Sequence, residues 1–311
     1  MIEVKNISRS YGSQTAVDGL SFNVRKGSVH GFLGPNGAGK TTTMKILAAM
    51  LPPDSGKVLI DSIDTSLQPL DVRKKIGILL EHPPLFFDMG GREYLEYVAR
   101  LRLVPKKKVR ERVDFVLEKL GLQDHQTRLL GNLSKGYKQK FGVAQAIVHN
   151  PEFVILDEPT SGLDPQAVME MRSLIKDLKN EHTVLFSSHL LKEADLICDD
   201  VTIISNGKLL ASAPIEEIQS SLSEKTAINI TVKNWSEELL SKIDGKDFVQ
   251  SVSLIPGEGE TKLNILVDSL QDNRDQLSRF IVEEGLGLLE MTQERPDLEK
   301  IFFEVVKRND N

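Results

Sequence analysis

Gly34-Pro35-Asn36-Gly37-Ala38-Gly39-Lys40-Thr41 places three glycines, a lysine and a hydroxyl in eight consecutive residues. Glycines let successive backbone N–H groups turn inward around an anion, and a helix starting behind them adds the positive end of its dipole. In that arrangement Lys40 reaches the β- and γ-phosphates of a nucleotide and the Thr41 hydroxyl can ligate Mg²⁺, with Thr42 next to it. A chance glycine-rich turn would lack the strand before it and the helix after it, and this sequence offers both.

A phosphate-binding loop is shared by kinases and GTPases, so it names a nucleotide-binding class and not a reaction. Phe153-Val154-Ile155-Leu156-Asp157-Glu158 narrows the choice: four apolar residues end in two carboxylates, a buried strand that delivers acids at its tip. Asp157 would hold Mg²⁺ through water and Glu158 would polarise the attacking water. Taken by itself, the same string would equally fit a buried strand ending in a surface acidic pair. A third group, Leu133-Ser134-Lys135-Gly136-Tyr137-Lys138-Gln139-Lys140, sets Ser134 and Gly136 at a helix start, where a hydroxyl, free N–H groups and the dipole suit a γ-phosphate. Alone, Leu-Ser-x-Gly is a common helix cap.

These groups need elements to hold them. Val29-His30-Gly31-Phe32-Leu33 reads as a buried strand before the loop, and Met44, Ile46, Leu47 and Met50 give residues 41–51 the apolar face of a helix stopped by Pro52-Pro53. Ile2-Glu3-Val4 and Leu20-Ser21-Phe22-Asn23-Val24 alternate like antiparallel strands on either side of Tyr11-Gly12-Ser13. Amphipathic helices are expected over 91–103, 106–120 and 136–149, and buried parallel strands over 153–156 and 183–186, which makes an α/β core. The texture changes after Ile218. A polar break at Gln219-Ser220-Ser221 precedes a strand over 227–232, a helix over 237–243, strands over 249–255 and 262–267, a helix over 274–284, a strand over 286–291 and a last helix over 298–307 that carries Phe302 and Phe303. That βαββαβ order with a tail suggests a small ferredoxin-like α+β domain, so two domains are expected, 1–218 and 219–311.

The motif set resembles the ATP-binding cassette of ABC transporters over roughly residues 2 to 218. The Leu133-Ser134-Lys135-Gly136-Tyr137-Lys138-Gln139-Lys140 string is similar to the family's signature, and lies shortly before the acidic strand as it does there. Tyr11 stands where the family has the aromatic that stacks on adenine. Ser161-Gly162-Leu163-Asp164 resembles the D-loop that crosses the dimer interface, and His189 resembles the switch histidine that contacts the γ-phosphate. The resemblance implies a phosphate-loop NTPase cassette with an antiparallel β subdomain and a helical subdomain. It also implies ATP and Mg²⁺ as cofactors, and two ATPs sandwiched between this chain and a second copy or a homologous ATPase subunit, each held by one phosphate loop and the other subunit's Ser134 and Gly136. Hydrolysis would drive a separate multi-span permease from the cytoplasmic face of the membrane, with Pro83-Pro84-Leu85-Phe86-Phe87 as the transmitting segment if Phe86 and Phe87 are exposed and not core. Gly31-Phe32-Leu33-Gly34-Pro35-Asn36-Gly37-Ala38-Gly39, the Lys135 variant and Pro296-Asp297-Leu298-Glu299-Lys300-Ile301-Phe302-Phe303 resemble bacterial ABC-2-type exporter ATPases.

Two positions depart from the family pattern. Glu81 stands where a glutamine is usual; it can still ligate Mg²⁺ but has lost the amide donor and adds negative charge. Lys135 replaces the first glycine of the signature pair, adding a cation that would help hold phosphate or simply be solvated.

Composition bears on the partners. The chain has 311 residues and a formal charge of −6, which gives no footprint for nucleic acid, and its single cysteine, Cys198, fits a reducing compartment. The start Met1-Ile2-Glu3-Val4-Lys5 lacks the pattern of a signal peptide, and no run approaches the ~18 apolar residues of a membrane span. A soluble ABC ATPase acting on ribosomes or DNA is the alternative, but those usually carry two fused cassettes or long coiled coils. A GTPase would need an Asn-Lys-x-Asp-like base reader at a strand end, and the nearest string, Ser241-Lys242-Ile243-Asp244, falls in a helical stretch.

Overall fold

Strand β1 (Ile2–Tyr11) buries Ile2 and Val4 and turns Lys5 outward, then returns through Gly12-Ser13 into β2 (Gln14–Val24), antiparallel, with Ile2 opposite Val24 and Tyr11 opposite Gln14. The structure is a computed structural model that describes residues 1–221, 225–233, 237–255, 261–268 and 272–294. These residues fold into two compact units, Met1–Ile215 and a second within Glu216–Glu304.

In the first unit β3 (Val29–Leu33) is buried along its whole length, as a parallel strand covered on both faces must be. Helix α1 (Lys40–Leu47) follows the phosphate loop. Strands β4 (Ser55–Ile60) and β5 (Ile63–Asp64) complete an antiparallel sheet in the order β2-β1-β4-β5, and α2 (Pro69–Lys75) runs directly into β6 (Ile76–Leu79). Three helices come next, α3 (Gly91–Leu101), α4 (Val109–Lys119) and α5 (Lys135–Ile147). The chain then alternates through β7 (Phe153–Leu156), α6 (Pro165–Leu178), β8 (Thr183–Ser188), α7 (Leu191–Ile197), β9 (Asp200–Ser205) and β10 (Lys208–Pro214), after which α8 (Ile215–Ser221) leads into the second unit. The second sheet has the order β10-β9-β3-β8-β7-β6; all neighbours are parallel except β9 and β10.

That topology sets the site. β3, β6, β7 and β8 point the same way, with Leu33 beside Ser188 and Leu79 beside Leu156, so the loops leading to Lys40, Glu81, Asp157 and His189 all leave one edge of the sheet. Alternate residues of β7 anchor the two faces. Phe153 and Ile155 pack with Phe32, Met44 and Leu47 beneath the antiparallel sheet, whereas Val154 and Leu156 pack with Phe141, Ile175 and Phe186 beneath the helices. Each such fully buried side chain contributes roughly 2 kcal/mol.

The sequence expectation of a helix over 41–51 needs correction. α1 stops at Leu47 because Ala49 adopts φ +53°, letting the amides of Met50 and Leu51 both donate to the Lys45 carbonyl at 2.9 and 3.2 Å. Arg73 Nη2 caps the turn at Ala49 O, 2.6 Å away, and Met50 is left half exposed. The stop is therefore a backbone reversal ahead of Pro52. Residues 106–108 form one 3₁₀ turn, and the α-helix expected from 106 begins at Val109.

The second unit contains β11 (Lys225–Val232), α9 (Glu237–Asp244), β12 (Val249–Ile255), β13 (Thr261–Asp268), α10 (Arg274–Glu283) and β14 (Leu288–Glu294), with an antiparallel sheet ordered β12-β13-β11-β14. Ile228, Ile230, Leu263, Ile265, Leu277 and Ile281 form its core. The last strand begins two residues later than the expected 286, because Gly287 turns at φ +64° and the Lys233 amide is shared by the carbonyls of Leu286 and Gly287. The helix expected over 298–307, with Phe302 and Phe303, lies outside the described residues. Among the described residues no helix is long and apolar enough to cross a membrane.

Candidate active site

The loop between β3 and α1 is shaped by Gly39, the residue capping the helix start at φ +101°, where a Cβ would collide with the Ala16 carbonyl oxygen. Only glycine brings the backbone this close to β2. Behind it Thr43 donates from Oγ1 to Gly39 O at 2.9 Å, which fixes the first turn of α1. Lys40, 6% exposed, folds back over the loop and donates from Nζ to Gly34 O at 2.8 Å and to Pro35 O at 3.2 Å. The same ammonium pairs with Glu158 Oε1 at 3.1 Å.

Asp157 and Glu158 follow β7, and one hydroxyl organises both: Ser187 Oγ donates to Asp157 Oδ1 at 2.6 Å and accepts from the Glu158 amide at 2.9 Å. Asp157 is fully buried, and burial holds its carboxyl above the ordinary carboxylate range. The Ser187 hydrogen bond and the nearby Thr41 hydroxyl oppose that shift, while the nearby charges of Glu158 and Glu81 add to it. Its Oδ2 is buried without a partner. An orphaned carboxylate oxygen beside the Thr41 hydroxyl and the Glu81 carboxylate is a set of hard oxygen donors that fits a small divalent cation. Glu158 sits at φ +48°, a left-handed conformation that costs about 1 kcal/mol or more for a glutamate. It turns the side chain toward His189, whose Nδ1 lies 2.8 Å from Glu158 Oε2.

One cleft of about 390 Å³ is lined by the loop residues Asn36, Gly37, Gly39, Lys40, Thr41 and Thr42 and by Glu81, Glu158 and His189; Asp157, wholly buried, is not part of that lining. Gly34, Pro35 and Ala38 lie behind it, supplying carbonyls and packing. Four candidates are elsewhere in the unit. Ser134 caps α5 by accepting from the Tyr137 amide at 3.4 Å, and with Gly136 and Asp164 it lines a separate pocket of about 180 Å³. Asp164 caps α6 by accepting from the Ala167 amide at 2.9 Å, with Pro165 at the first helical position. Tyr11, half exposed at the end of β1, stacks beneath the Arg9 guanidinium, 5.4 Å from its ring centre. The Lys135 ammonium lies over Gly162, where an added Cβ would meet its Nζ.

Sequence reasoning placed Ser161 only in the D-loop-like string and did not single out Ala16, which with Ser161 completes the cleft, or Ser187, which ties the two acids together. A serine inside the apolar run Leu185-Phe186-Ser187-Ser188 was the available signal, since a hydroxyl buried in a parallel strand needs a polar partner. Nor did it find Ser188, Thr160 and Glu193, whose contacts span up to 33 residues.

The family model described as ABC transporter matches residues 17–161. The bacitracin transport ATP-binding protein BcrA of Bacillus licheniformis is 34% identical over 309 residues, spanning 98% of this chain and 97% of that protein. The linearmycin resistance ATP-binding protein LnrL of Bacillus subtilis (strain 168) is 30% identical over 309 residues, spanning 99% of both. A solved ATP-binding subunit of an ABC transporter superposes with a TM-score of 0.65 at 28% identity, over 71% of this chain and 92% of that one.

Proposed function

Because this chain belongs to the ABC transporter family, as an ATP-binding subunit that hydrolyses ATP, we propose that it is the motor of an exporter and works as a dimer that clamps ATP between two subunits. The observation that carries the clamp is the division of anion-suited features between two pockets. The phosphate loop lines the 390 Å³ cleft, while the helix start at Ser134 and Gly136 lines another, with no residue in common. A nucleotide in the cleft can meet a second helix N-terminus only from another subunit, either a copy of this chain or a homologous one. The resistance and transport roles carried in the names of LnrL and BcrA support export.

Within the clamp, Lys40 and the amides of Asn36, Gly37 and residues 39–42 bind the phosphates, and Tyr11 stacks on the base. Asp157, Thr41 and Glu81 would hold Mg²⁺, which when bound neutralises the phosphate oxygens. Glu158, aimed by its backbone and by His189, orients the attacking water and accepts its proton. His189 holds Glu158 in place and faces the γ-phosphate, and Asp164 faces the partner subunit.

The permease would dock on a groove of about 420 Å³ lined by Met50, Arg73, Leu80, Pro84, Arg102 and Gln145. Leu85 is buried, but Phe86 and Phe87 are 49% and 55% exposed, which favours the docking reading of this segment over the core one. The chain would thus lie on the cytoplasmic face of the membrane as a peripheral subunit, with residues 1–218 as the cassette and 219–311 as a ferredoxin-like accessory domain. The strand order β12-β13-β11-β14, with helices after the first and third strands, supports that reading. Two variants test the clamp: Lys40→Ala loses tight ATP binding, whereas Ser134→Arg keeps binding by the monomer and loses hydrolysis. Normal hydrolysis by Ser134→Arg would overturn the clamp.

A further inference from the structure

We propose that Glu193, in the first turn of α7, is a positioning residue that holds the His189 turn and the loop after Glu158 together so that these two side chains meet. The proposal rests on the ATP-hydrolysis reading of the same cleft. Glu193 is 1% exposed, and burying a carboxylate is costly unless donors surround it. Donors do: Thr160 Oγ1 and Ser188 Oγ each donate to its Oε2 at 2.8 Å, and Arg172 Nη2 of α6 approaches its Oε1 at 3.4 Å. An apolar side chain would fill this space with no desolvation cost, so a carboxylate here points to specified geometry and not to packing alone.

The two hydroxyls sit at telling places. Ser188 immediately precedes His189, and its Oγ also accepts from the Leu190 amide at 3.0 Å, so the residues on both sides of His189 hang from one hydroxyl held by Glu193. Thr160 lies two residues after Glu158, and its carbonyl accepts from the Leu163 amide at 3.2 Å, anchoring the turn through Ser161 and Gly162 toward Asp164. One carboxylate oxygen therefore spans two loops that carry Glu158 and His189, whose side chains are 2.8 Å apart. The two loops are separated by about thirty residues of sequence, and no covalent feature sets their spacing. A displacement of about 1 Å between reacting groups costs on the order of a hundredfold in rate, so Glu193 acts on turnover through the alignment of Glu158 and leaves the phosphate loop untouched.

The test is steady-state ATP hydrolysis and separate fluorescent-ATP titration of the full chain and three variants. Glu193→Ala is expected to lower kcat by about tenfold or more while the Kd for ATP stays within about twofold. Ser188→Ala, which removes one hydroxyl and leaves the core filled, is expected to lower kcat about three- to tenfold with the same unchanged Kd. Glu193→Gln can keep an oxygen toward both hydroxyls, so it is expected to stay within about threefold of the parent. The proposal is overturned if Glu193→Ala and Ser188→Ala both keep kcat within about twofold, if Kd weakens in step with kcat, or if Glu193→Gln is as slow as Glu193→Ala. Should Glu193→Ala fail to fold, Ser188→Ala and Glu193→Gln decide by the same criteria. A parent chain without ATPase activity would instead refute the hydrolysis reading itself.

Discussion

The Lys40 ammonium lies 3.1 Å from Glu158 Oε1, with both side chains more than nine-tenths buried, so the cation that would bind phosphate and the acid that would activate water are paired across the cleft. Nucleotide binding therefore has to draw Lys40 from a carboxylate as well as from the Gly34 and Pro35 carbonyls. That competition links the two functions through a single contact, and removing the carboxylate should free the lysine.

Asp157 should be a site where function opposes stability. Burial holds its carboxyl above the usual range, so the ionised form disfavours the fold at neutral pH, and the penalty grows as pH rises above the unfolded value of 3.8. Asp157→Asn keeps an oxygen for Ser187 and removes that charge. Its melting temperature at pH 7 is expected to exceed the parent's by about 2 °C or more, with the difference vanishing near about pH 3, while hydrolysis is lost. A lower melting temperature at pH 7 would contradict the assignment.

His30 should make the protein acid-sensitive. Its ring is buried in β3, with Nε2 2.8 Å from Thr202 Oγ1, and burial pushes its pKa down to about 4 from the ordinary 6.5. Because the folded value is the lower one, the neutral ring's stabilisation is complete above 6.5 and is lost as pH falls toward 4; fully developed, it amounts to about 3 kcal/mol. Urea denaturation from pH 7 down to about pH 4.5 should show the loss, and His30→Gln, which cannot take up the proton, should lessen the slope, the remainder coming from His149 and His182, whose burial also lowers their pKa. Equal slopes for both proteins would contradict this account.

How much of this was legible in the sequence depends on chain distance. The phosphate loop and its strand and helix are contiguous, as are β7 and its two acids, so composition and order sufficed there. The turn at Ala49 was not readable, because a positive φ at alanine is imposed by the Lys45 carbonyl and by Arg73, 24 residues away. Ser187 acts through Asp157 and Glu158, about 30 residues away, and is marked locally only by a hydroxyl inside an apolar run, while Glu193 joins Thr160, 33 residues away, to Ser188, five residues away. The helix start at Ser134 was visible, but its lining of a pocket apart from the phosphate loop emerges only from the packing of α5 on α6.

Glu81 lines the cleft where its charge adds to the upward shift of Asp157. Replacing it by glutamine removes repulsion near the phosphates and restores an amide donor, so Glu81→Gln is expected to retain at least about half of the ATPase activity. A loss of about tenfold or more in steady-state rate would show that the acid itself has a specific catalytic part.

The central claim is that Glu158 activates water in a cleft closed by a second subunit, and one variant bears on both halves. Glu158→Gln removes the proton acceptor and the ion pair to Lys40 while preserving size. Size-exclusion chromatography of Glu158→Gln with ATP, alongside its steady-state turnover, is the direct measurement. The account predicts turnover lower by about a hundredfold or more, ATP bound at least as tightly as by the parent, and a dimer that accumulates with ATP. A Glu158→Gln chain that hydrolyses ATP at the parent's rate, or stays monomeric with ATP bound, would contradict it.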